Sequence, residues 1–152
     1  MDRQALAIRV DVSDSKEVNQ MVRSVLKKFK RVDILVNNAA IIKRGSIEDL
    51  TEEDWDRVMD VNLKGAFNCA KAVVGIMKKQ RYGKIVNISS IAGKIGDLAS
   101  APCYGADFPY FHKFFLKLRS QETVRPFSLA FFTASKESSE AEREIAGVIP
   151  LI

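Results

Sequence analysis

Residues 32–40 read VDILVNNAA, and this stretch carries the clearest signal of the fold class. Its first six residues, 32–37, form a short apolar run with branched side chains, which is typical of a strand buried on both faces. Two further runs of this kind, ALAIRVD at 5–11 and KIVNIS at 84–89, lie upstream and downstream of it. None of the three runs alternates strictly between apolar and polar residues, so the pattern favours a parallel sheet.

Two segments with helical spacing of apolar residues separate these three strands. The first follows Ser13 and Asp14, which offer N-cap oxygens, and Glu17 is placed to complete a capping box. The second follows Thr51, with Asp54 three residues later, and should end at Tyr82-Gly83. The predicted inner face of the second helix consists of Trp55, Val58, Met59, Leu63, Ala66, Phe67, Ala70, Val74 and Met77. The order of strands and helices predicts an α/β fold, a parallel sheet with flanking helices.

Length and composition exclude several classes of protein. The chain has 152 residues, which fits one domain, and 47% of them are hydrophobic. No apolar run approaches the roughly 20 residues of a membrane span. The N-terminal sequence lacks the apolar core of a secretion signal, so we expect a cytoplasmic location and no membrane partner. Cys69 and Cys103 have neither metal-ligand nor disulfide spacing.

The net charge of +5 does not indicate a nucleic-acid partner. Residues 1–104 hold 18 Lys and Arg against 13 Asp and Glu, while residues 105–152 hold 6 of each. The basic residues of the first part are scattered and interleaved with acidic ones, whereas a nucleic-acid footprint would cluster them on one face. A solvated surface explains them better.

The composition changes near residue 104. Seven of the nine phenylalanines and three of the four prolines follow Tyr104, and valine becomes rare there. We therefore treat residues 107–152 as a divergent tail with irregular or helical structure. The alternating strands and helices lie before it, in residues 1–106.

Small and polar residues follow each predicted strand. They are Asp11-Val12, Asn37–Ala40 and Ser89-Ser90. In open parallel sheets, ligands bind beyond the carboxyl ends of the strands. These three places are therefore the predicted binding edge.

The same residues belong to a set of motifs in a specific order. The motifs are Asp11-Val12, VDILVNNAA at 32–40, VNLKGAF at 61–67, GKIVNISS at 83–90 and Tyr104-Gly105-Ala106. Together they resemble the short-chain dehydrogenase/reductase family, most closely members of the 3-oxoacyl-carrier-protein reductase type. The resemblance implies that residues 1–106 form a partial Rossmann-like domain that binds NAD or NADP. It also implies a small carbonyl or alcohol substrate.

The resemblance implies a role for five residues at the cofactor. Asp11 would accept a hydrogen bond from the adenine amino group, with the Val12 backbone beside it. Asn38 would border the ribose, with Ala39 and Ala40 adjoining, and Ala40 stands where many members have glycine. Taken alone, an Asp after a strand is usually a turn former, and an Asn pair there usually caps a turn. Asn37 would tie neighbouring strands together.

Three further residues are candidates for the catalytic machinery. The resemblance implies that Ser90 polarises the substrate carbonyl and that Tyr104 gives a proton to the alkoxide. Ser89 is the alternative to Ser90, and either serine could instead cap the strand. Asn62 lies on the apolar stripe of the long helix, where an amide needs a hydrogen-bonding partner. It could be satisfied by neighbouring backbone or, as in the family, bend the helix and hold a proton-relaying water.

Two departures from the family predict impaired activity. The sequence contains no G-x-G, the turn that cradles the cofactor pyrophosphate, and the chain starts at what resembles the family's third strand. The family also has a lysine four residues after its tyrosine, and here that position is Phe108, followed by Pro109. Without the lysine, a phenol with a pKa of about 10 is mostly protonated at neutral pH.

Three hypotheses about function follow. The chain is an NAD(P)-dependent oxidoreductase with lowered activity, or an inactive fragment truncated in front and shifted in reading frame after Ala106. In the third, it is a non-catalytic partner of a full-length subunit. Members of the family commonly form homo-oligomers through the long helix and the tyrosine-bearing helix, and this pairing is doubtful here because Pro109 interrupts the second.

Overall fold

Three parallel strands and the helices that pack against them make up the described fold. The computed structural model describes residues 4–89 and the strand at 125–130. In chain order the elements are α1 (Ser15–Phe29), β1 (Ile34–Asn37), α2 (Glu52–Met59), a π-helical segment (Asp60–Lys64), α3 (Gly65–Gln80), β2 (Lys84–Ser89) and β3 (Arg125–Ala130). The strands pair in the order β1-β2-β3, all parallel. The predicted α/β class with a parallel sheet is confirmed.

The core lies where α1 and α3 pack together on the strands. Leu35 of β1 and Ile85 of β2 are paired neighbours in the sheet, and both are buried. The predicted apolar stripe of α1 is buried against them, and Met77 of α3 is fully enclosed. A strand buried in this way needs apolar residues on both faces, which explains why β1 and β2 lack strict alternation.

The prediction of a strand at residues 5–11 is wrong. These residues adopt neither strand nor helix, and none of the three described strands pairs with them. Val10 nevertheless lies in the core, and Lys28 Nζ donates to the Ala5 carbonyl at 2.7 Å. The apolar run therefore predicted the burial of Val10 correctly. It did not predict the secondary structure, because a strand also requires a hydrogen-bonded neighbour.

Strand β1 begins two residues later than predicted. The backbone of Val32 bonds to the side chain of Gln80 instead of a neighbouring strand. Gln80 Oε1 accepts from Val32 N–H at 3.0 Å, and Gln80 Nε2 donates to the Val32 carbonyl at 2.8 Å. An amide side chain thus replaces a ladder partner at this position.

The long helix is interrupted by a π-helical segment, and two of the residues predicted on its inner face are exposed. The π-helical segment at 60–64 inserts one wide turn between α2 and α3, and such turns shift the register of the residues that follow. Trp55 and Phe67, predicted on the inner face, are 39% and 38% exposed. The apolar residues that face the core are Val58, Val61, Ala66, Cys69, Ala70, Val73 and Met77.

The predicted capping box is present at the start of α2 and absent from the start of α1. Thr51 and Asp54 form the predicted capping box at the start of α2. Asp14 is the N-cap of α1, accepting from the Lys16 and Glu17 N–H groups. The Glu17 carboxylate, however, accepts from Asp11 N–H at 2.8 Å instead of closing a box on Asp14. It therefore joins α1 to the turn before it.

The tail contributes a strand that the sequence did not predict. Residues 125–130 form β3, which lies parallel to β2, with Lys84 opposite Arg125 and Ser89 opposite Ala130. The partner is 41 positions away along the chain, so no local pattern announces this pairing. The division of the chain at residue 106 stays a prediction.

Candidate active site

The carboxyl end of β1 meets the turn at residues 11–13. Val12, Asn38 and Ala39 line one narrow cavity of about 20 Å³ beside the end of the strand. Asn37, the last residue of β1, donates through Nδ2 to Asn87 Oδ1 of β2 at 2.8 Å. The predicted tie between neighbouring strands is thereby confirmed. Ala40 is exposed and lines neither of the two cavities described here.

The Asp11 carboxylate is fixed by its own turn. Oδ1 accepts from Ser13 N–H at 2.9 Å and from Ser13 Oγ at 2.6 Å. The Asp11 carbonyl accepts from Asp14 N–H at 3.1 Å, which closes the turn. This is the turn-forming geometry expected of an Asp after an apolar run. The side chain stays 38% exposed, so the same carboxylate is open to a ligand.

Arg57 of α2 is a charged partner that the sequence analysis missed. Its Nη1 lies 3.3 Å from Asp11 Oδ2 and 3.2 Å from Ser13 Oγ. No sequence pattern connects two residues on different elements, and only the packing of α2 against the turn brings them together. Burial alone would raise the pKa of Asp11, but the Ser13 hydrogen bonds and the Arg57 charge outweigh it and lower that pKa below 3.8.

This electrostatic arrangement gives a pH prediction. Because the pKa of Asp11 is lower in the folded protein than in the unfolded chain, its ionised carboxylate stabilises the fold. This stabilisation is fully present above pH 3.8, the ordinary pKa of the group, and is lost as the pH falls through the folded-state pKa. Replacing Arg57 with Gln should raise the pKa of Asp11 towards 3.8, because the carboxylate loses a positive neighbour. An NMR titration of the Asp11 carboxyl carbon measures this. An unchanged or lower pKa in the variant would contradict the assignment.

A larger cavity, of about 820 Å³, adjoins the same carboxylate. Its wall combines charged and apolar side chains. The residues that line it are Ile8, Arg9, Val10, Asp11, Glu17, Gln20, Met21, Ser24, Ile41 and Arg57. Its volume lies in the range of small-molecule sites, but polar and charged side chains make up most of its lining, whereas most such sites are lined chiefly by apolar residues.

Val12 offers a backbone donor at this edge. The residue is only 3% exposed, yet we find no acceptor for its N–H among residues 4–89. Buried N–H groups are nearly always paired, so a backbone donor beside the Asp11 carboxylate that has no acceptor within this range calls for an explanation. The Val12 carbonyl, in contrast, accepts from Asn68 Nδ2 at 3.0 Å.

Both the oxygen and the nitrogen of the Asn62 side-chain amide bond to the backbone of one residue, Ile41. Its Oδ1 accepts from Ile41 N–H at 2.8 Å and its Nδ2 donates to the Ile41 carbonyl at 3.0 Å. It also lies within the π-helical segment. The two alternatives for this residue therefore coexist in part: neighbouring backbone satisfies the amide, and the helix is irregular at its position. A role in holding a water stays a prediction.

Two catalytic candidates are untested, and the one described cysteine is not a nucleophile. Ser90 and Tyr104 lie outside the described residues, and their roles stay predictions. Burial raises the pKa of the Cys69 thiol to about 11, so this thiol is protonated at neutral pH and is a poor nucleophile. Within the described segments, no three His, Cys, Asp or Glu side chains are grouped to hold a metal ion.

Comparison with known proteins identifies the family. The family model described as short chain dehydrogenase matches residues 1–121 of this chain. The chain belongs to the short-chain dehydrogenase family. Val12, Asn38 and Ala39, which belong to the motifs that carried the resemblance, line one cavity beside the end of β1, and Asp11 lines the other.

Individual relatives in this family are enzymes named as reductases. The chain is 43% identical over 98 residues to a 3-oxoacyl-[acyl-carrier-protein] reductase of Synechocystis sp., covering 64% of this chain and 40% of the relative. It is 46% identical over 88 residues to the enzyme of that name from Thermotoga maritima, covering 58% and 36%. A solved structure described as a short-chain dehydrogenase/reductase from Burkholderia xenovorans aligns with a TM-score of 0.73 and 32% identity.

The match covers only part of each relative. The alignment with the Burkholderia xenovorans structure covers 79% of this chain and 49% of that one. The chain thus spans less than half the length of the relatives it matches. In the described part of the chain, no helix has both the length and the apolar character needed to cross a membrane.

Proposed function

We propose that this short-chain dehydrogenase binds the adenine end of NAD or NADP at the turn formed by residues 11–13. One observation carries the proposal: the partly exposed carboxylate of Asp11 stands next to the Val12 N–H, for which the described residues offer no acceptor. An adenine presents a donor, its amino group, beside an acceptor, its ring nitrogen. The pair of protein groups is complementary to that pattern.

Asn38, Ala39 and Ala40 complete the proposed binding edge. Asn38 is exposed immediately after β1, where its amide is available to ribose hydroxyls. Ala39 lines the same narrow cavity as Val12, and the small side chains of Ala39 and Ala40 add little bulk at this edge. The groups present therefore fit the nucleoside part of the cofactor.

We propose carbonyl reduction or alcohol oxidation as the reaction. The nicotinamide, when bound, supplies or accepts the hydride. In this chain Ser90 would hold the substrate oxygen by a hydrogen bond, and Tyr104 would give or take the proton at that oxygen. Asn62, through its two bonds to Ile41, holds the segment that follows the binding edge. The relatives named 3-oxoacyl-[acyl-carrier-protein] reductase make a 3-oxoacyl thioester the first substrate to test.

Turnover is proposed to be slow. Phe108 cannot lower the pKa of Tyr104 as a lysine would, and loss of one tuned acid-base group typically costs a factor of about 10²–10⁴ in rate. The same departure favours a second candidate function, a non-catalytic subunit that partners another member of the family. A cytoplasmic location also stays a prediction.

Nucleotide binding is tested with Asp11→Asn. The substitution keeps the shape of the side chain. The two Ser13 donors would hold its remaining oxygen at the Oδ1 position, so an NH2 group would replace Oδ2 and the adenine amino group would lose its acceptor. We expect the dissociation constant for NADH or NADPH to rise about 10–100-fold, the cost of losing a hydrogen bond to a charged group. Quenching or enhancement of nicotinamide fluorescence measures this constant.

Asp49→Asn is the matched control for that experiment. Asp49 also accepts from a serine hydroxyl, Ser46 Oγ at 2.6 Å, but lines neither cavity. Its replacement should leave nucleotide affinity unchanged. Equal effects of the two substitutions, or no binding by the wild-type chain, would overturn the proposal. Oxidation of the reduced nucleotide by a 3-oxoacyl thioester separates the oxidoreductase from the non-catalytic candidate.

A further inference from the structure

Asn68 of α3 donates two hydrogen bonds to the backbone of the turn at residues 11–13, where the proposed nucleotide site lies. The residue is 7% exposed, and its Nδ2 donates to the Val12 carbonyl at 3.0 Å and to the Ser13 carbonyl at 3.1 Å. The two hydrogens of one amide group thus fix two successive peptide units. Without them, both carbonyls would lose partners in a poorly solvated position, which is costly.

These bonds reach the Asp11 carboxylate through one rigid peptide. The Val12 carbonyl and the Ser13 N–H belong to the same planar peptide unit, so fixing one orients the other. That Ser13 N–H donates to Asp11 Oδ1 at 2.9 Å. Asn68 therefore controls the direction of the carboxylate without touching it.

A glycine one turn earlier lets the helix come this close. A Cβ at Gly65 would lie 2.6 Å from Val12 Cγ2 and 3.1 Å from Val12 Cβ. Such distances are too short for real side chains, so only glycine permits this approach. Gly65 thus allows α3 to lie against Val12, and Asn68 then bonds to the backbone of the same turn.

We infer that Asn68 is a positioning residue for nucleotide recognition, because its two bonds to the turn aim the Asp11 carboxylate at the adenine amino group. The inference rests on the proposed function of Asp11. It predicts that Asn68 affects the recognition of the amino group specifically, and not only the stability of the protein. Adenosine monophosphate (AMP) and inosine monophosphate (IMP) differ at this group, since inosine carries an oxygen there.

Gln80 provides a matched control on the same helix. Its Nε2 also donates to two backbone carbonyls, Val32 at 2.8 Å and Tyr82 at 3.3 Å. Val32 precedes β1, at the opposite end of the strand from Asn38, and neither it nor Gln80 lines a cavity near Asp11. Asn68→Asp and Gln80→Glu therefore remove the same kind of donor, one at the proposed site and one away from it.

The experiment titrates the isotope-labelled full chain with AMP and with IMP and follows amide chemical shifts. We expect the wild-type chain to bind AMP more tightly than IMP. Asn68→Asp should raise the dissociation constant for AMP about tenfold and leave that for IMP within about twofold, in line with one or two lost hydrogen bonds. Gln80→Glu should lower the melting temperature as well but retain the AMP preference.

The outcomes separate the two proposals. If the wild-type chain prefers AMP and Asn68→Asp keeps that preference, the positioning role is wrong while the proposed function stands. If the wild-type chain binds neither nucleotide, or both equally, the proposed function fails and this role fails with it. Should Asn68→Asp not fold, the wild-type side-chain amide signals decide: those of Asn68 should shift with AMP more than those of Gln80, and equal shifts would refute the role.

Discussion

Replacing Ile85 with alanine is expected to lower the free energy of unfolding by about 2–5 kcal/mol, because it leaves a cavity in a core that cannot fully collapse around it. Ile85 is fully buried in β2, opposite Leu35 of β1. A domain of this size has a total stability of about 5–15 kcal/mol, so the loss is a large part of it. Urea denaturation followed by circular dichroism measures the change.

Ile47→Ala removes the same atoms from a surface position. Ile47 is 70% exposed, so its replacement should change the stability by less than about 0.5 kcal/mol. The contrast between the two isoleucines isolates burial from residue type. Similar losses at both positions would mean that Ile85 does not lie in the core described here.

Replacing Gly65 with alanine is expected to destabilise the protein by about 1–3 kcal/mol, as an overpacked site does. The added Cβ would meet Cγ2 of Val12 at 2.6 Å, and a valine side chain has little freedom to move away. Either α3 or the turn must shift. Because the turn carries the proposed nucleotide site, the same substitution should also weaken AMP binding.

Gly75→Ala on the same helix should have the opposite sign. A Cβ at Gly75 meets no described atom within 4 Å, so alanine there adds only its better helix propensity, worth about 0.5–1 kcal/mol. The melting temperatures of the two variants, compared with that of the wild type, test this prediction. A stabilised Gly65→Ala, or two changes of the same sign, would show that α3 does not approach Val12 closely.

Some elements of this fold were predictable because their signals are local. Strand β2 begins and ends where its apolar run does, and α2 begins at the capping box of Thr51 and Asp54. The buried stripe of α1 follows directly from its spacing. In each case, the side chains that decide the element lie within a few residues of it.

Other elements were not predictable because distant residues decide them. The segment at 5–11 has the composition of a strand, but no described strand pairs with it. The π-helical segment at 60–64 interrupts the long helix, and Trp55 and Phe67, both predicted on its inner face, are exposed. Strand β3 depends on pairing with β2 across the chain.

The family, the parallel α/β class and the polar positions after the predicted strands could be predicted because motifs and apolar periodicity involve neighbouring positions. The way the Asp11 carboxylate is held is visible only in the folded chain, where Arg57 of α2 bonds to it and Asn68 and Gly65 of α3 contact its turn. These partners lie more than 40 positions from Asp11 along the chain. Their contacts arise only when the long helix packs across the turn, and no local pattern encodes such a distance.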